Sequence, residues 1–146
     1  ERSGPKLRWV LGGVAFLAIA MGVGGYYTLV RSRDHFADAT AEMDRVGKTL
    51  DTEGCISAVL DWHAACEANK PLCDNGVPMV MTHCLMGGDR TETCETLDLS
   101  SAKATWVFQQ CEDRGTPCLN RKTCACASAY RAIDSFCRHG QEGVAL

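Results

Sequence analysis

Charge is missing from the early part of this chain: from Trp9 to Val30, 22 consecutive positions carry no Asp, Glu, Lys or Arg. A run of that length is enough to cross a hydrocarbon core of about 30 Å. With no ionisable side chain inside it, the run offers no proton or ion path of its own. Proline is also scarce, and none of the four prolines falls between Pro5 and Pro71, so nothing there forbids long helices. The short C-x2-C pairs expected of a structural zinc site do not occur, nor does the C-x-x-C-H of haem attachment. No carboxylate pair, serine elbow or phosphate loop stands out, so we expect no catalytic residue, cofactor or metal. The net charge of -3, with basic residues scattered, excludes the footprint of a nucleic-acid partner.

The uncharged run reads as a membrane helix over residues 9–30, preceded by a basic tail, residues 1–8. Lys6 and Arg8 flank it on one side and Arg31 and Arg33 on the other. Trp9, Tyr26 and Tyr27 stand where interfacial aromatic belts belong. A signal peptide is the rival, since Ala18-Ile19-Ala20 resembles a cleavage site after a short apolar core. The continuation of the run to Val30 favours a retained span, with the lipid bilayer as its first partner. Ala18 with Gly22, and Ala20 with Gly24, lie four apart, the spacing that lets membrane helices approach closely. Two readings stand side by side here: packing against other membrane helices, or ordinary membrane-helix composition.

After the span, Phe36, Ala39, Met43, Val46 and Leu50 recur in steps of three and four. That stripe predicts a helical stalk over residues 31–54, helical to about Leu50 and broken by Thr52, Glu53 and Gly54, packed either on a neighbour or, as we favour, on the chain's own cysteine domain.

All ten cysteines follow the span. An even number in one small domain points to a disulfide framework and an oxidising compartment. Nearly balanced flanking charges leave orientation to those cysteines, which place the carboxyl-terminal part outside a bacterial cytoplasm or a mitochondrial matrix. Cys55 and Cys66 are eleven residues apart, as are Cys73 and Cys84, so each pair shares one face of a helix. An antiparallel hairpin about Pro71 sets Cys66 beside Cys73 and Cys55 beside Cys84. This first hairpin is expected over 55–86, with a turn at Asp74-Asn75-Gly76 and with Pro78 opening the second helix.

A weaker copy is expected over 94–139, before a tail at 140–146. Laying Ser100 to Cys118 on Cys55 to Cys73 puts Cys111 on Cys66 and Cys118 on Cys73, with Ser100 where an outer cysteine would be. Cys111 with Cys118 is then expected as the inner pair and Cys94 with Cys137 as the outer one, and helices are expected over 101–112 and about 123–138. Cys124 and Cys126 are left over, uncertain between structural bridges and redox chemistry. Ten cysteines allow on the order of a thousand pairings, so connectivity stays open. The fold class expected is all-α: one transmembrane helix, a helical stalk, then disulfide-braced helical hairpins.

The four positions Cys55, Cys66, Cys73 and Cys84 resemble the coiled-coil-helix-coiled-coil-helix family of the mitochondrial intermembrane space. That family carries twin C-x9-C segments bridged outer to outer and inner to inner; here the gaps are ten residues, and Cys94 to Cys137 match only loosely. The family includes copper carriers, import components, cristae organisers and accessory subunits of respiratory complexes. Nothing in this chain resembles a vicinal-cysteine copper site. With an anchor added, the resemblance implies a non-catalytic accessory subunit of an inner-membrane respiratory assembly, its head in the intermembrane space and its partners the other subunits. A start at Glu1 fits removal of a presequence. A bacterial inner-membrane protein with a periplasmic head fits the same pattern.

Two chemical readings compete with a purely structural one. Cys124-Ala125-Cys126, beside Arg121 and Lys122, could exchange disulfides as a membrane-tethered oxidoreductase. Cys124, Cys126, Cys137 and His139 offer zinc-ligand atoms at unusual spacing. His63 and His83 are expected at the helix surface or the core edge, and Trp62, Trp106 and Phe108 in the core in preference to a partner interface.

Overall fold

The computed structural model describes residues 5–97, 103–120 and 122–140, the side chains of 5–8, 29, 31 and 32 excepted. The expected tail residues 1–4 and 141–146, Ser100 and Arg121 lie outside the described residues, as do the side chains of Lys6, Arg8 and Arg31. Among the described residues there are six helices: α1 (Pro5–Val46), α2 (Thr52–Ala65), α3 (Lys70–Met86), α4 (Thr91–Thr96), α5 (Ala104–Asp113) and α6 (Ala125–His139). The protein is all-helical, with five disulfides. It divides into two units, Glu1–His35 and Phe36–Leu146.

In the first unit every described side chain from Trp9 to Thr28 is exposed, Phe16 at 71% and Met21 at 72% among them. This part of α1 is long and apolar enough to cross a membrane and has none of its apolar window buried.

The second unit has one core. The last turns of α1 bury Ala39 and Met43, with Val46 and Leu50 packed against that core. The heptad stripe therefore packs on the chain's own cysteine domain, as favoured above. The helix stops at Val46, a turn earlier than expected, because Gly47 lies against the end of α3. A Cβ at Gly47 would sit 2.2 Å from the carbonyl oxygen of Cys84. Both sides of that approach are backbone and cannot rotate away. Gly47→Ala is thus expected to destabilise the head by about 1 to 3 kcal/mol, the usual range for overpacking, read as a lowered midpoint in denaturant titration.

The break between stalk and hairpin falls at residues 47–51 rather than at Thr52, Glu53 and Gly54, which form the first turn of α2. Asp51 supplies the reason, its Oδ1 accepting the Gly54 N–H at 2.7 Å as an N-cap. Cys55, Ile56 and Val59 then face inward, each fully buried.

The turn expected at Asp74-Asn75-Gly76 is likewise helix. Asn69 caps α3, accepting the Leu72 N–H at 3.0 Å, and Pro71 falls where a first-turn proline costs no hydrogen bond. The helix runs through Pro78, whose carbonyl accepts the Thr82 hydroxyl at 2.8 Å. Gly76 serves close packing rather than a turn: a Cβ there would lie 2.3 Å from Phe36 Cε1 and 3.0 Å from Trp62. Val77, Val80, Met81, Cys84 and Leu85 form the buried face.

The carboxyl-terminal part is not a second hairpin set in series after the first. Helix α6 pairs with α5 but also packs on α3 and α2, burying Ala127, Ala129, Tyr130, Ala132 and Ile133 in the common core. Three alanines on that face let α6 approach its neighbours closely. Arg114, at the end of α5, donates to Ser57 on α2 at 2.9 Å and pairs with Glu53.

Candidate functional site

The ten cysteines are the side chains that the sequence singles out most clearly, and all of them are bridged. Cys55 joins Cys84 and Cys66 joins Cys73, with Cα separations of 5.7 and 6.1 Å, the two pairs that the α2–α3 geometry sets side by side. Cys94 joins Cys137, tying α4 to the last turn of α6.

The pairing of Cys111 with Cys118, carried over from the first hairpin, is corrected. Cys111 joins Cys126 and Cys118 joins Cys124. The physical reason is where the helices end. α5 stops at Asp113, Gly115 turns the chain with φ of 78°, and α6 begins only at Ala125. Cys118 therefore sits on a loop, and the cysteine at the foot of α6 that faces Cys111 is Cys126. The order is again nested, an outer bridge enclosing an inner one, but in a different register from the first hairpin.

These two bridges adjoin. The Sγ atoms of Cys111, Cys118 and Cys124 lie within 4.8 Å of one another. Cys111 and Cys126 are buried, whereas Cys118 and Cys124 are half-buried beside exposed Leu119, Asn120, Lys122 and Thr123. Cys124 is the N-cap of α6 and Cys126 lies in its first turn. The Cys124-Ala125-Cys126 pair is thus not bonded to itself. Nor does the zinc set of Cys124, Cys126, Cys137 and His139 assemble. Eleven residues of helix, about 16 Å, separate Cys126 from Cys137.

A second site was not anticipated in the sequence. Arg90, buried at 8% exposure, fills the junction between the ends of α1 and α3. Its Nη1 donates to the Leu50 carbonyl at 2.8 Å, its Nη2 to those of Gly47 at 2.9 Å and Cys84 at 3.2 Å, and its Nε to that of Leu85 at 3.2 Å. Nη2 also reaches Cys55 Sγ at 3.5 Å, so the guanidinium rests on the Cys55–Cys84 bridge. Burial pulls its pKa down, while Asp51 and Asp89 oppose the shift. The signal available in the sequence was a lone arginine just after Gly87-Gly88, where a cation meets the carbonyls of a helix end.

His63 and His83 lie at the core edge, each on a carboxylate: His63 Nε2 to Asp74 Oδ1 at 2.7 Å, His83 Nδ1 to Asp44 Oδ1 at 2.9 Å. Burial pushes the Asp74 carboxyl up, but hydrogen bonds from His63 and Lys70 outweigh it and hold the group below its usual value. A carboxyl depressed in the folded state stabilises fully above the unfolded pKa of 3.8, and that contribution fades as pH falls through the folded pKa. Asp74→Asn is expected to lower stability at neutral pH by about 1 to 2 kcal/mol and to narrow its gap to the parent below about pH 4, read in melting curves across pH.

Trp62 packs on Phe36 with ring centroids 5.8 Å apart, and Trp106 meets Tyr130 edge-on at 5.7 Å. Arg131 covers Phe108 at 5.7 Å. All three aromatics thus belong to the flank of the core. Of the span residues singled out for helix packing, Ala18, Ala20, Gly22 and Gly24 are exposed, and nothing lies within 4 Å of a Cβ built at either glycine.

Comparison with protein-family models, curated proteins and solved structures gives no match.

Proposed function

We propose that the protein is a non-catalytic, single-pass subunit of a larger membrane assembly, with residues 9–30 crossing the bilayer and the disulfide-braced head on the oxidising side. The observation that carries this reading is the exposure of every described large apolar side chain from Trp9 to Val30, against a head in which only Leu72 and Leu119 among the described large apolar residues are exposed. Apolar surface in water costs about 25 cal/mol per Å², and a bilayer removes that cost along the whole length of the helix. Open surface at Gly12, Gly13, Gly22, Gly24 and Gly25 supports close approach by other membrane helices. Five bridges without a free thiol support an oxidising compartment.

Within this reading the resemblance of Cys55 to Cys84 to the twin-cysteine helical hairpins favours a mitochondrial inner membrane, a head in the intermembrane space and respiratory-chain subunits as partners. Alkaline carbonate treatment followed by maleimide labelling without reductant tests the reading. The protein is expected to stay with the membrane and to take up no label. Release by carbonate, or a reactive pair at Cys124 and Cys126, would contradict it.

A further inference from the structure

We infer that Cys118–Cys124 is an exchangeable disulfide, able to accept two electrons from a protein dithiol and to hand the vacancy inward to Cys111–Cys126. Three observations converge on this. The bridge is half-buried and set among exposed loop residues, whereas Cys55, Cys84, Cys111 and Cys126 are buried and the half-buried Cys94–Cys137 bridge joins two helices. The Cys111 sulfur lies within 4.8 Å of both Cys118 and Cys124, a short movement away from bonding either. Cys124 and Cys126, the two sulfurs that would leave, both stand at the start of α6, whose first free N–H groups and dipole favour a thiolate.

The chemistry balances as thiol–disulfide exchange. A thiolate of the incoming dithiol attacks Cys118 Sγ; a mixed disulfide forms, the Cys118–Cys124 bond breaks, and the electron pair leaves on Cys124. The second thiolate of the dithiol attacks its own sulfur in the mixed disulfide and frees Cys118, so the dithiol ends as a disulfide and the bridge as two thiols. The Cys124 thiolate then attacks Cys111 Sγ, forming Cys111–Cys124 and releasing Cys126 as a thiolate in the first turn of the same helix. This last step transfers no net electrons. At its end α5 is still tied to the foot of α6, because Cys111 has exchanged one α6 anchor for the next. The head therefore carries one brace that persists and one disulfide that it can surrender.

Cys66–Cys73 is the internal control. It closes a loop of similar size, with a sequence separation of 7 against 6, but belongs to no such cluster of sulfurs among the described residues. The test is limited reduction of the full chain in detergent by dithiothreitol, quenched with a maleimide and mapped by mass spectrometry of disulfide-linked peptides. Cys118 should be labelled about tenfold faster than Cys66 or Cys73, as a better leaving thiolate and easier access would give. A Cys111–Cys124 peptide should accumulate, with Cys126 labelled beside Cys118. Opening of Cys66–Cys73 first or at equal rate would overturn the exchangeable bridge, and absence of the Cys111–Cys124 peptide would overturn the inward transfer. In a Cys111→Ser, Cys126→Ser variant the same first step should label Cys118 with Cys124; failure to do so while the variant retains the parent's helical circular dichroism would also count against the inference.

Discussion

Replacing Arg90 with methionine is expected to lower the stability of the head by about 3 to 5 kcal/mol, in the range seen when a buried hydrogen-bonded charge is removed from its partners. The loss comes from the four carbonyls the guanidinium serves. Those of Cys84 and Leu85 end α3, and those of Gly47 and Leu50 lie just beyond α1. At a buried junction, carbonyls without donors each cost about 1 to 3 kcal/mol in desolvation, and methionine fills the volume without supplying a donor. Arg90→Lys should recover only part of the loss, since one ammonium cannot span four acceptors in the plane of a fork. Thermal unfolding followed by circular dichroism at 222 nm checks both variants. At about 4 to 8 °C per kcal/mol for a domain of this size, the methionine variant should melt more than about 10 °C below the parent. A shift of a degree or two would mean that Arg90 is not the junction's main tie.

Removal of the Cys55–Cys84 bridge is the second change with a large expected effect. A crosslink between residues 29 apart restricts the unfolded chain by about 3.6 kcal/mol in the chain-entropy account. Both cysteines are fully buried, so the Cys55→Ala, Cys84→Ala pair also leaves two small voids at the centre of the core and takes away the sulfur on which Arg90 rests. The double variant should lose about 4 to 5 kcal/mol, read as a shifted denaturant midpoint with the other four bridges intact. The equivalent change at Cys66 and Cys73, with a separation of 7, should cost about 2.4 kcal/mol by the same relation. Equal losses from the two pairs would show that loop length and burial do not govern these bridges.

Both large effects fall on the junction of α1, α2 and α3, and only half of that junction was legible in the sequence. The Cys55–Cys84 and Cys66–Cys73 pairs could be read because an eleven-residue spacing returns a side chain to the same helix face, and Pro71 marks the reversal. The inward turn of Met43 and Ala39 followed from their three-and-four spacing. Arg90 was not legible as the tie between α1 and α3, since its partners at Gly47 and Leu50 are backbone carbonyls about forty residues away, which leave no trace in side-chain pattern.

The misread turns have a common cause. Asp74-Asn75-Gly76 and Thr52-Glu53-Gly54 carry turn residues, yet tertiary packing and caps decided the outcome. Asp51 caps α2 and so draws Thr52, Glu53 and Gly54 into its first turn, and Gly76 is required by the rings of Phe36 and Trp62. In the second half, copying the spacing of the first hairpin paired Cys111 with Cys118. The actual helix ends at Asp113 and Ala125 put Cys118 in a loop and handed Cys126 to Cys111.

For the candidate site, the cysteine inventory was legible while the clustering of its sulfurs was not. Cys124 and Cys126 drew attention as neighbours in sequence. In the folded head they belong to two adjoining bridges, and the closeness of Cys111, Cys118 and Cys124 depends on the loop that joins α5 to α6.

The role proposed for the apolar helix and the braced head is to make this chain one part of a membrane assembly. Extraction of native membranes with a mild detergent, followed by affinity purification and sizing of the particle, tests it most directly. The chain should emerge in a particle much larger than itself, with a fixed set of integral membrane subunits in constant proportion. A lone monomer in its detergent micelle, with the five disulfides intact, would contradict it.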